Sequence, residues 1–538
     1  MDITQWYAVA LGSLVVLFHV SHPLLLIMRI SGTYIASSFL KHLYHPRVRL
    51  NIRCSNQYIG FSSKMARFDV LLVALFLVGN AVCLSVEVKD VASLMKRSGL
   101  LCIINLVPLA LGEHMNVVAS FCGVRLSAYA STHEWLGRVV MAEGLIHSAA
   151  AISSQPLNLR GTFGVAELMA AAAGVLLLLS SLSWVRRRFY EVFQKFHLIL
   201  AAALITAIYL HSTSKNIFKV PICYLFATIC LQISIGALRI GWTIYRNIKH
   251  RTPSLATIRT ITYKKTSGNK TREIPVLDAV HVHVRLARPW TWRAGQWVYL
   301  SIPGLTRTSF AQSHPFFVSW WYRDAKGDAF VVIIIEKRKG FTKDIVSVGP
   351  RSEMRAIVEG PYGRELHLES YGTVLLFATG IGIAGQLPYV TQLLEGYHNY
   401  EVKGRRIALF WEMDSELHSA WVGDMMKELL KKDTDKILDI QLFVLGGYIS
   451  SKTELGDVKP LGKRIKMTYK AMDAEALIRS EIDGRKGRTV VSLCTNNDTS
   501  DKICEAVRKL LDKTIDLKEM EYRPSRRSSD KVKKEREW

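Results

Sequence analysis

The chain has 538 residues, of which 49% are hydrophobic and 21% charged, and its formal net charge is +25. This length exceeds one typical core, so two or three domains are expected. No basic patch interleaved with aromatic residues points to DNA or RNA, and the eight cysteines form no CxxC pair, which argues against zinc and a disulfide framework.

Long apolar runs occupy the chain up to about residue 245. A membrane helix needs about 20 residues. Seven runs approach or exceed that length: 7–28, 68–88, 99–121, 133–152, 164–185, 196–213 and 218–244. The first has no basic segment before it and no small-residue cleavage site after it, so we expect a retained span. The sequence predicts an integral, multi-pass membrane domain of about seven helices.

Lysine and arginine in the loops predict the orientation of these spans. The segments 29–67 and 186–195 are rich in both residues, and they lie on the same side if there are seven spans. The rule places the N-terminus outside and the second half of the chain in the cytosol. Part of the net charge of +25 then comes from basic loops on the cytosolic side of the membrane.

Two predicted spans each carry a pair of histidines fourteen residues apart, His133 with His147 and His197 with His211. Fourteen residues make close to four helical turns, so both rings of a pair face one way, about 21 Å apart. The two spans run in the same direction, which pairs His133 with His197 near the cytosol and His147 with His211 near the outer face. Each level could hold one b-type haem, since imidazole is an axial ligand of haem iron. A packing role is the alternative, but ionisable residues within spans are scarce and usually functional.

Two charged residues share the fourth span with the first histidine pair. Arg138 could contact a haem propionate, or it could pair with Glu143. The sequence leaves these two interpretations equal.

Residues 252–365 read as short strands rich in β-branched residues, which predicts a small β-barrel. Within it lie QSHPFFVSWW, from Gln312 to Trp321, and KGFT, from Lys339 to Thr342. Gly340 would permit close approach of the backbone to a phosphate, and the Thr342 hydroxyl would donate to it.

From residue 370 buried strands alternate with helices, which predicts a parallel sheet. In ATGIGIAGQLP, Gly380, Gly382 and Gly385 stand where a strand meets a helix, a place that suits a pyrophosphate. GPYG, from Gly360 to Gly363, marks the joint between barrel and sheet. Arg405 and Arg406 are either contacts of a nucleotide 2′-phosphate or solvated surface residues.

These motifs, in this order, resemble those of the ferric reductase and NADPH oxidase superfamily of transmembrane flavocytochromes, most closely the fungal ferric-chelate reductases. The resemblance spans about residues 65–523. It implies haem ligation by His133, His147, His197 and His211. It implies FAD binding by His314, Pro315, Phe316, Ser319, Gly340 and Thr342. It implies binding of NADPH by Gly360, Pro361, Gly363, Gly380, Gly382, Pro388 and Cys494, with Tyr522 as the aromatic residue against the flavin. No separate catalytic residue is implied.

The chain departs from the family pattern at four places. Glu134 stands where a basic residue commonly follows the first haem histidine, and Phe317 replaces a Thr or Ser. The usual Cys-Gly-Pro reads Cys494-Thr495-Asn496. A charged tail continues past Tyr522 to Trp538, so either aromatic residue could stack on the flavin.

The resemblance implies a fold of an α-helical membrane domain, a β-barrel FAD domain and an α/β nucleotide domain like that of ferredoxin reductases. The expected boundaries are 1–66 for an extra span and basic loop, 67–250 for the haem domain, 251–365 for FAD, 366–524 for the nucleotide and 525–538 for the tail. The implied activity is transfer of electrons from cytosolic NADPH, through FAD and two b-type haems, to Fe(III) chelates or Cu(II) outside the plasma membrane. A superoxide-forming oxidase and a non-enzymatic haem protein are the alternatives, and the sequence does not indicate the oligomeric state.

Overall fold

The computed structural model describes residues 3–12, 47–51, 62–121, 125–154, 161–212, 216–267, 270–307, 309–450, 452–461, 464–484, 487–510 and 515–520. The chain divides into two compact units, Met1–Ile240 and Gly241–Trp538. Each unit has its own packing and is described separately. Tyr522, the charged tail and most of the predicted first span and basic loop lie outside the described residues.

Six long helices dominate the first unit, and the last of them continues past Ile240 into the second unit. They are α1 Arg67–Ser85, α2 Val91–Ala110, α3 Leu126–Ser154, α4 Thr162–Ser180, α5 Tyr190–His211 and α6 Ile222–Asn247. A 3-10 turn, Leu111–His114, and a short helix, Met115–Phe121, extend α2. The remaining elements are residues 3–12, which are helical, the hairpin of β1 Arg47–Asn51 and β2 Ser62–Ala66, and the short helix Ser183–Arg188.

Five segments of the described chain are long and apolar enough to cross a membrane: Arg67–Ser85, Val91–Phe121, Thr162–Ser180, Val192–His211 and Ile222–Asn247. Helix α3 has the length but also carries Glu134, Arg138 and Glu143, which lower its hydropathy. Every predicted span after the first therefore coincides with a long helix, and the number that cross the bilayer stays a prediction.

The outer faces of these helices are apolar. Leu75, Ile199 and Leu238 expose 60%, 64% and 73% of their surface. Such a surface suits lipid, because in hydrocarbon it costs nothing to leave apolar side chains outside the bundle. Inside the bundle α2 packs mainly on α3, and α4 packs mainly on α5.

The second unit begins with antiparallel strands. They are β3 Ile248–Lys249, β4 Thr252–Pro253, β5 Leu255–Ser267, β6 Lys270–Arg285, β7 Trp297–Ser301, β8 His314–Phe317, β9 Trp320–Arg323, β10 Ala329–Glu336, β11 Arg351–Arg355 and β12 Ile357–Tyr362. Strands β3 and β4 pair with each other, while the others form a sheet in the order β11-β5-β6-β10-β9 and a second in the order β12-β7-β8. The described strands thus form two sheets, whereas the sequence predicts one barrel. Helix α7, Phe341–Val348, lies between β10 and β11.

A seven-stranded sheet follows, in the order β16-β17-β15-β14-β13-β18-β19. Its strands are β13 Thr373–Thr379, β14 Arg406–Met413, β15 Leu438–Val444, β16 Val458–Leu461, β17 Ile465–Thr468, β18 Thr489–Cys494 and β19 Ile515–Glu519. All pairs are parallel except β16 with β17. The connecting helices are α8 Ile383–His398, α9 Gly423–Lys432, α10 Ala474–Asp483 and α11 Asn497–Lys509.

The centre of this sheet is buried on both faces. Every residue of β13 and β18 is buried, which is why these strands are mainly apolar. The chain runs from β13 to one edge of the sheet and then returns to place β18 on the other side of β13. Such a reversal opens a crevice at the carboxyl ends of the strands, where ligands of open α/β sheets bind.

Candidate functional site

The four histidines of the first unit lie in two facing pairs. The ring centroids of His133 and His197 are 6.3 Å apart, and those of His147 and His211 are 6.0 Å apart. A metal–imidazole nitrogen bond is about 2 Å long, so two rings that bind one metal from opposite sides have centroids roughly 6 Å apart. The pairs are those that helical spacing predicts, and their separation leaves room for one iron between each pair.

Three of the four rings have a polar group close to Nδ1. His147 Nδ1 lies 2.8 Å from the carbonyl oxygen of Met95, His197 Nδ1 lies 3.3 Å from Ser181 Oγ, and His211 Nδ1 lies 3.6 Å from Glu167 Oε1. Two of these contacts, those of His147 and His197, are at hydrogen-bond distance, and a proton on Nδ1 that is donated there leaves the lone pair on Nε2. This tautomer is the one that binds a metal, so the surroundings of the rings fit haem ligation.

The charged residues near the first histidine form a cluster of their own. Arg138 lies 3.5 Å from Glu134 and stacks over the ring of Trp135, and Arg186 also pairs with Glu134. Among the described residues no basic side chain lies within salt-bridge distance of Glu143. An ion pair between Arg138 and Glu143, one of the two sequence interpretations, is therefore wrong for this structure. Glu134 instead joins two arginines, which offers a reason for an acidic residue at this position.

A buried polar cluster between the helices was not predicted. Asn105 Nδ2 lies 2.9 Å from Asn80 Oδ1 and 3.1 and 3.0 Å from the two carboxylate oxygens of Glu143. Tyr7 donates to Asn105 Oδ1 at 2.7 Å. We call Tyr7, Asn80, Asn105 and Glu143 the polar tetrad. Isolated polar residues in apolar runs were the available signal, but their partners lie on four different helical segments.

The HPFF part of QSHPFFVSWW and the GPY part of GPYG lie in the same three-stranded sheet, on opposite sides of β7. Strand β7 pairs on one side with β8, so that Pro315 faces Tyr299, and on the other with β12, so that Glu359 faces Tyr299. The side chain of Ser319 is fully buried, and its Oγ has no hydrogen-bond partner among the described residues. A buried hydroxyl of this kind is costly unless a ligand satisfies it, so the site fits a polar cofactor.

The KGFT turn lies next to β8, the strand that begins at His314. The ring of Phe341 stacks on that of His314, with centroids 4.9 Å apart. Gly340 has φ of 66° and precedes α7, so the turn needs a residue that tolerates the left-handed region. Thr342 Oγ1 accepts a hydrogen bond from the Arg338 N–H at 3.0 Å. The hydroxyl predicted to meet a phosphate thus also closes its own turn.

Gly380 stands at the carboxyl end of β13, in the crevice of the parallel sheet. It has φ of 49°, and its carbonyl oxygen accepts from Trp411 Nε1 at 2.8 Å. Gly382 ends the 3-10 turn that leads into α8, and Pro388 is buried within that helix. Backbone N–H groups at the start of α8 therefore face an edge of the sheet that can hold a pyrophosphate.

GPYG is held by close packing. A Cβ at Gly363 would lie 2.8 Å from Trp297 Cδ1, and Gly363 has φ of 87°, so this position requires glycine. Gly360 also has positive φ, 135°, and Pro361 follows it in β12.

Phe317, which departs from the family pattern, packs against α8 of the nucleotide domain. A Cβ added at Gly385 on that helix would lie 3.1 Å from the Phe317 ring.

The segment after β18 meets Gly380 at the same edge. Cys494 is fully buried at the end of β18, with its side chain in the core, while the Asn496 N–H donates to Thr379 Oγ1 at 2.8 Å. Thr495 is buried, and its Oγ1 has no hydrogen-bond partner among the described residues. Sequence reasoning singled out Cys494 for the nucleotide, whereas the structure leaves Thr495 as the side chain in need of a partner.

Arg405 and Arg406 lie at the opposite edge of the sheet. In the register of β13 and β14, Arg406 is beside Thr373, and Glu412 is beside Thr379, which precedes Gly380. Six residues of strand separate the two edges by about 20 Å. Arg406 binds Glu481 and Asp439 there. Of the two interpretations of these arginines, contact with the 2′-phosphate of a nucleotide bound at Gly380 does not fit their position.

Three family models match the chain in consecutive order. They are the ferric reductase like transmembrane component over residues 98–208, the FAD-binding domain over 267–366 and the ferric reductase NAD binding domain over 371–515. The matches confirm the predicted order of a helical membrane domain, a flavin domain and a nucleotide domain.

The similar curated proteins include ferric reductases of two yeasts. The chain is 28% identical over 313 residues, 55% of its length, to ferric/cupric reductase transmembrane component 2 of Saccharomyces cerevisiae, and covers 40% of that protein. It is 25% identical to ferric reductase transmembrane component 6 of the same yeast, over 72% of the chain and 56% of the relative. It is 21% identical to ferric/cupric reductase transmembrane component 1 of Candida albicans, over 76% of the chain and 53% of the relative. The chain thus spans about half the length of the curated relatives it matches.

Proposed function

Because the chain belongs to the fungal ferric reductase family, we propose that it is a membrane reductase that takes electrons from NADPH on one side of the membrane and delivers them to Fe(III) chelates or Cu(II) on the other. The observation that carries this proposal is the pair of facing imidazoles at two levels of one helical bundle, with centroids 6.3 and 6.0 Å apart. Family membership supports a nucleotide as the electron source, and the names of the relatives support ferric and cupric acceptors.

We assign His133 with His197, and His147 with His211, as the residues that would hold two b-type haems. FAD, when bound, would accept a hydride and release single electrons, and the haems would carry single electrons. The Met95 carbonyl and Ser181 hydroxyl would keep the protons of His147 and His197 on Nδ1, away from the metal.

In the second unit each residue set would bind part of a cofactor. His314, Pro315, Phe316, Ser319, Gly340 and Thr342 would hold the flavin, and Ser319 offers a hydroxyl that no described residue satisfies. The crevice formed by Gly360, Pro361, Gly363, Gly380, Gly382, Pro388 and Cys494 would receive the nicotinamide nucleotide. Tyr522 stays a predicted flavin contact.

Further parts of the proposal concern organisation and location. We propose the boundaries 1–66, 67–250, 251–365, 366–524 and 525–538, and the plasma membrane as the site of action. NADPH in place of NADH rests on the family resemblance, since Arg405 and Arg406 lie at the edge of the sheet away from Gly380.

An anaerobic titration tests the proposal. The chain, purified in detergent with FAD and haem, would be mixed with NADPH under argon, and the haem absorption would be followed before and after addition of an Fe(III) chelate. Reduction by NADPH followed by prompt reoxidation by the chelate is the expected result. Reoxidation by air alone, with superoxide formed, would indicate an oxidase, and haem that NADPH never reduces would overturn the electron path.

A further inference from the structure

Helix α2 and its 3-10 extension lie against the two histidines of α3 through glycines. A Cβ added at Gly112 would lie 2.2 Å from both Nδ1 and Cε1 of His133. A Cβ added at Gly99 would lie 2.8 Å from Nδ1 of His147. Non-bonded carbon atoms pack at about 3.5–4.0 Å, so neither ring could keep its position beside a larger residue.

The two glycines match the two levels of the bundle. They are thirteen residues apart, and the histidines of α3 are fourteen apart. Both spacings correspond to about 20 Å along a helix. Because Gly112 meets His133 and Gly99 meets His147, α2 with its 3-10 extension runs antiparallel to α3, and this segment contributes one glycine to each level.

The absence of a side chain at Gly99 also explains a hydrogen bond of His147. His147 Nδ1 lies 2.8 Å from the carbonyl oxygen of Met95, four residues before Gly99. In a helix the side chain of a residue leans toward the turn before it, over the carbonyl four residues earlier. A side chain at position 99 would therefore cover the oxygen that the imidazole reaches.

We propose that Gly99 and Gly112 are positioning residues for the haem ligands, Gly112 for His133 and Gly99 for His147. Each leaves the space in which one imidazole takes the orientation that directs Nε2 toward the iron. The inference rests on the proposed function only in taking these histidines as haem ligands. It adds that α2, which supplies no ligand, determines the geometry of both sites.

Helix propensity makes the prediction sharper. Alanine is a better helix former than glycine, so Gly→Ala in a helix interior normally stabilises it. A loss of haem caused by Gly99→Ala, which lies inside α2, would therefore run against the helix preference of alanine. It would have to come from the contact with the ring.

The test uses the full chain purified in detergent, with haem content per polypeptide, visible and EPR spectra, and midpoint potentials by spectroelectrochemistry. The wild type is expected to hold two haems. Gly112→Ala should lose, or shift in potential and EPR signal, only the haem that His133→Ala abolishes. Gly99→Ala should affect only the haem that His147→Ala abolishes. Complete loss at one level lowers haem content twofold.

A matched control is available on α4. A Cβ at Gly174 would lie 2.7 Å from Cε of Met141, as close a contact as that at Gly99, but against the flexible end of a side chain. Gly174→Ala should keep both haems with unchanged potentials. A second control, Gly137→Ala on α3, meets only Leu109 at 3.6 Å.

Double variants keep the inference testable if a glycine variant accumulates poorly. Removing the imidazole removes the clash. Adding Gly112→Ala to His133→Ala should therefore lower neither the amount of folded protein nor the remaining haem content further, and the same holds for Gly99→Ala added to His147→Ala. An added loss in those backgrounds would overturn the inference, as would unchanged spectra and potentials in both single variants, or equal damage by Gly174→Ala. A wild type without two haems would refute the proposed function itself, which distinguishes the two failures.

Discussion

Three buried or half-buried histidines of the second unit each have a hydrogen-bond partner. His281 Nε2 lies 2.7 Å from the Trp421 carbonyl, His418 Nε2 lies 2.8 Å from Asp278, and His283 Nδ1 lies 3.0 Å from the Tyr322 hydroxyl. These rings join strands and turns of one unit, so each has a structural partner. The bundle histidines also have polar neighbours, but each pair faces across two different helices, whereas His281 and His283, 6.2 Å apart, lie on one strand.

His283 is expected to make stability depend on pH. Burial, reinforced by the nearby Arg259 and His281, lowers the pKa of His283 from 6.5 to about 4. The unfolded chain therefore binds a proton that the folded chain does not between these values, and stability falls as pH drops from 6.5 toward 4. The loss should be about 1–2 kcal/mol, because partial exposure reduces the roughly 3 kcal/mol of a fully buried group.

Thermal unfolding of the flavin-loaded chain between pH 4 and 7, followed by flavin fluorescence, measures this dependence. His283→Gln should flatten the slope, leaving a smaller contribution from His281, whose pKa burial also lowers. Replacement of the exposed His367 by Gln serves as the control. An unchanged slope in His283→Gln would contradict the assignment.

Ser319 is expected to contribute to flavin affinity and not to stability. Its Oγ is buried without a hydrogen-bond partner among the described residues, so removal breaks no protein contact. Ser319→Ala should weaken FAD binding by roughly 5–30-fold, the effect of one lost hydrogen bond, while the melting temperature of the flavin-free chain stays the same. Equilibrium titration with FAD, with Ser309→Ala as a control whose hydroxyl does have protein partners, gives the answer. Equal FAD affinity in wild type and Ser319→Ala would rule out the contact.

At the scale of elements, the polar tetrad links the N-terminal helical segment of residues 3–12 to α1, α2 and α3. Asn105 is its centre, because its amide contacts both Asn80 and Glu143 and its oxygen accepts from Tyr7. The Glu143 carboxyl is 1% exposed, and Asn105 is its hydrogen-bond donor. Among apolar helices, whose packing is weakly specific, such a cluster fixes one arrangement.

Removal of the central amide should therefore destabilise the bundle. Asn105→Leu leaves the Glu143 carboxyl buried without its donor and should cost about 1–3 kcal/mol, seen as a lower melting temperature of the haem absorption. The double variant Asn105→Leu with Glu143→Leu should recover part of that loss, since the buried carboxyl that lost its donor is then absent. A double variant as unstable as the sum of the two single ones would show that the residues act independently.

At the scale of the whole molecule, the two histidine levels are separated along the helical bundle. The rings of one helix are about four turns apart, so the two sites together span roughly 20 Å of the bundle. The nucleotide-binding half follows the last helix in the chain. We therefore expect nucleotide oxidation and metal reduction to occur on opposite faces of the membrane.

Proteoliposomes test this separation. NADPH added outside should reduce a membrane-impermeant Fe(III) chelate trapped inside, through those molecules whose second unit faces outward. His147→Ala should abolish this transfer while the chain stays folded, because it removes a ligand from the level that the sequence places farther from the cytosol. Reduction of the trapped chelate by His147→Ala at the wild-type rate would contradict the proposed route.

The sequence by itself determined the helices, the order of the three domains and the pairing of the four histidines. These depend on periodicity and on motifs that are local in the chain, and fourteen residues align two rings on any regular helix. Only the tertiary structure decided that Arg406 lies far from Gly380, that Glu143 binds Asn105, and that Gly99 and Gly112 lie against the imidazoles. Such contacts join residues of different elements, and no local pattern encodes the register with which one helix or strand packs against another.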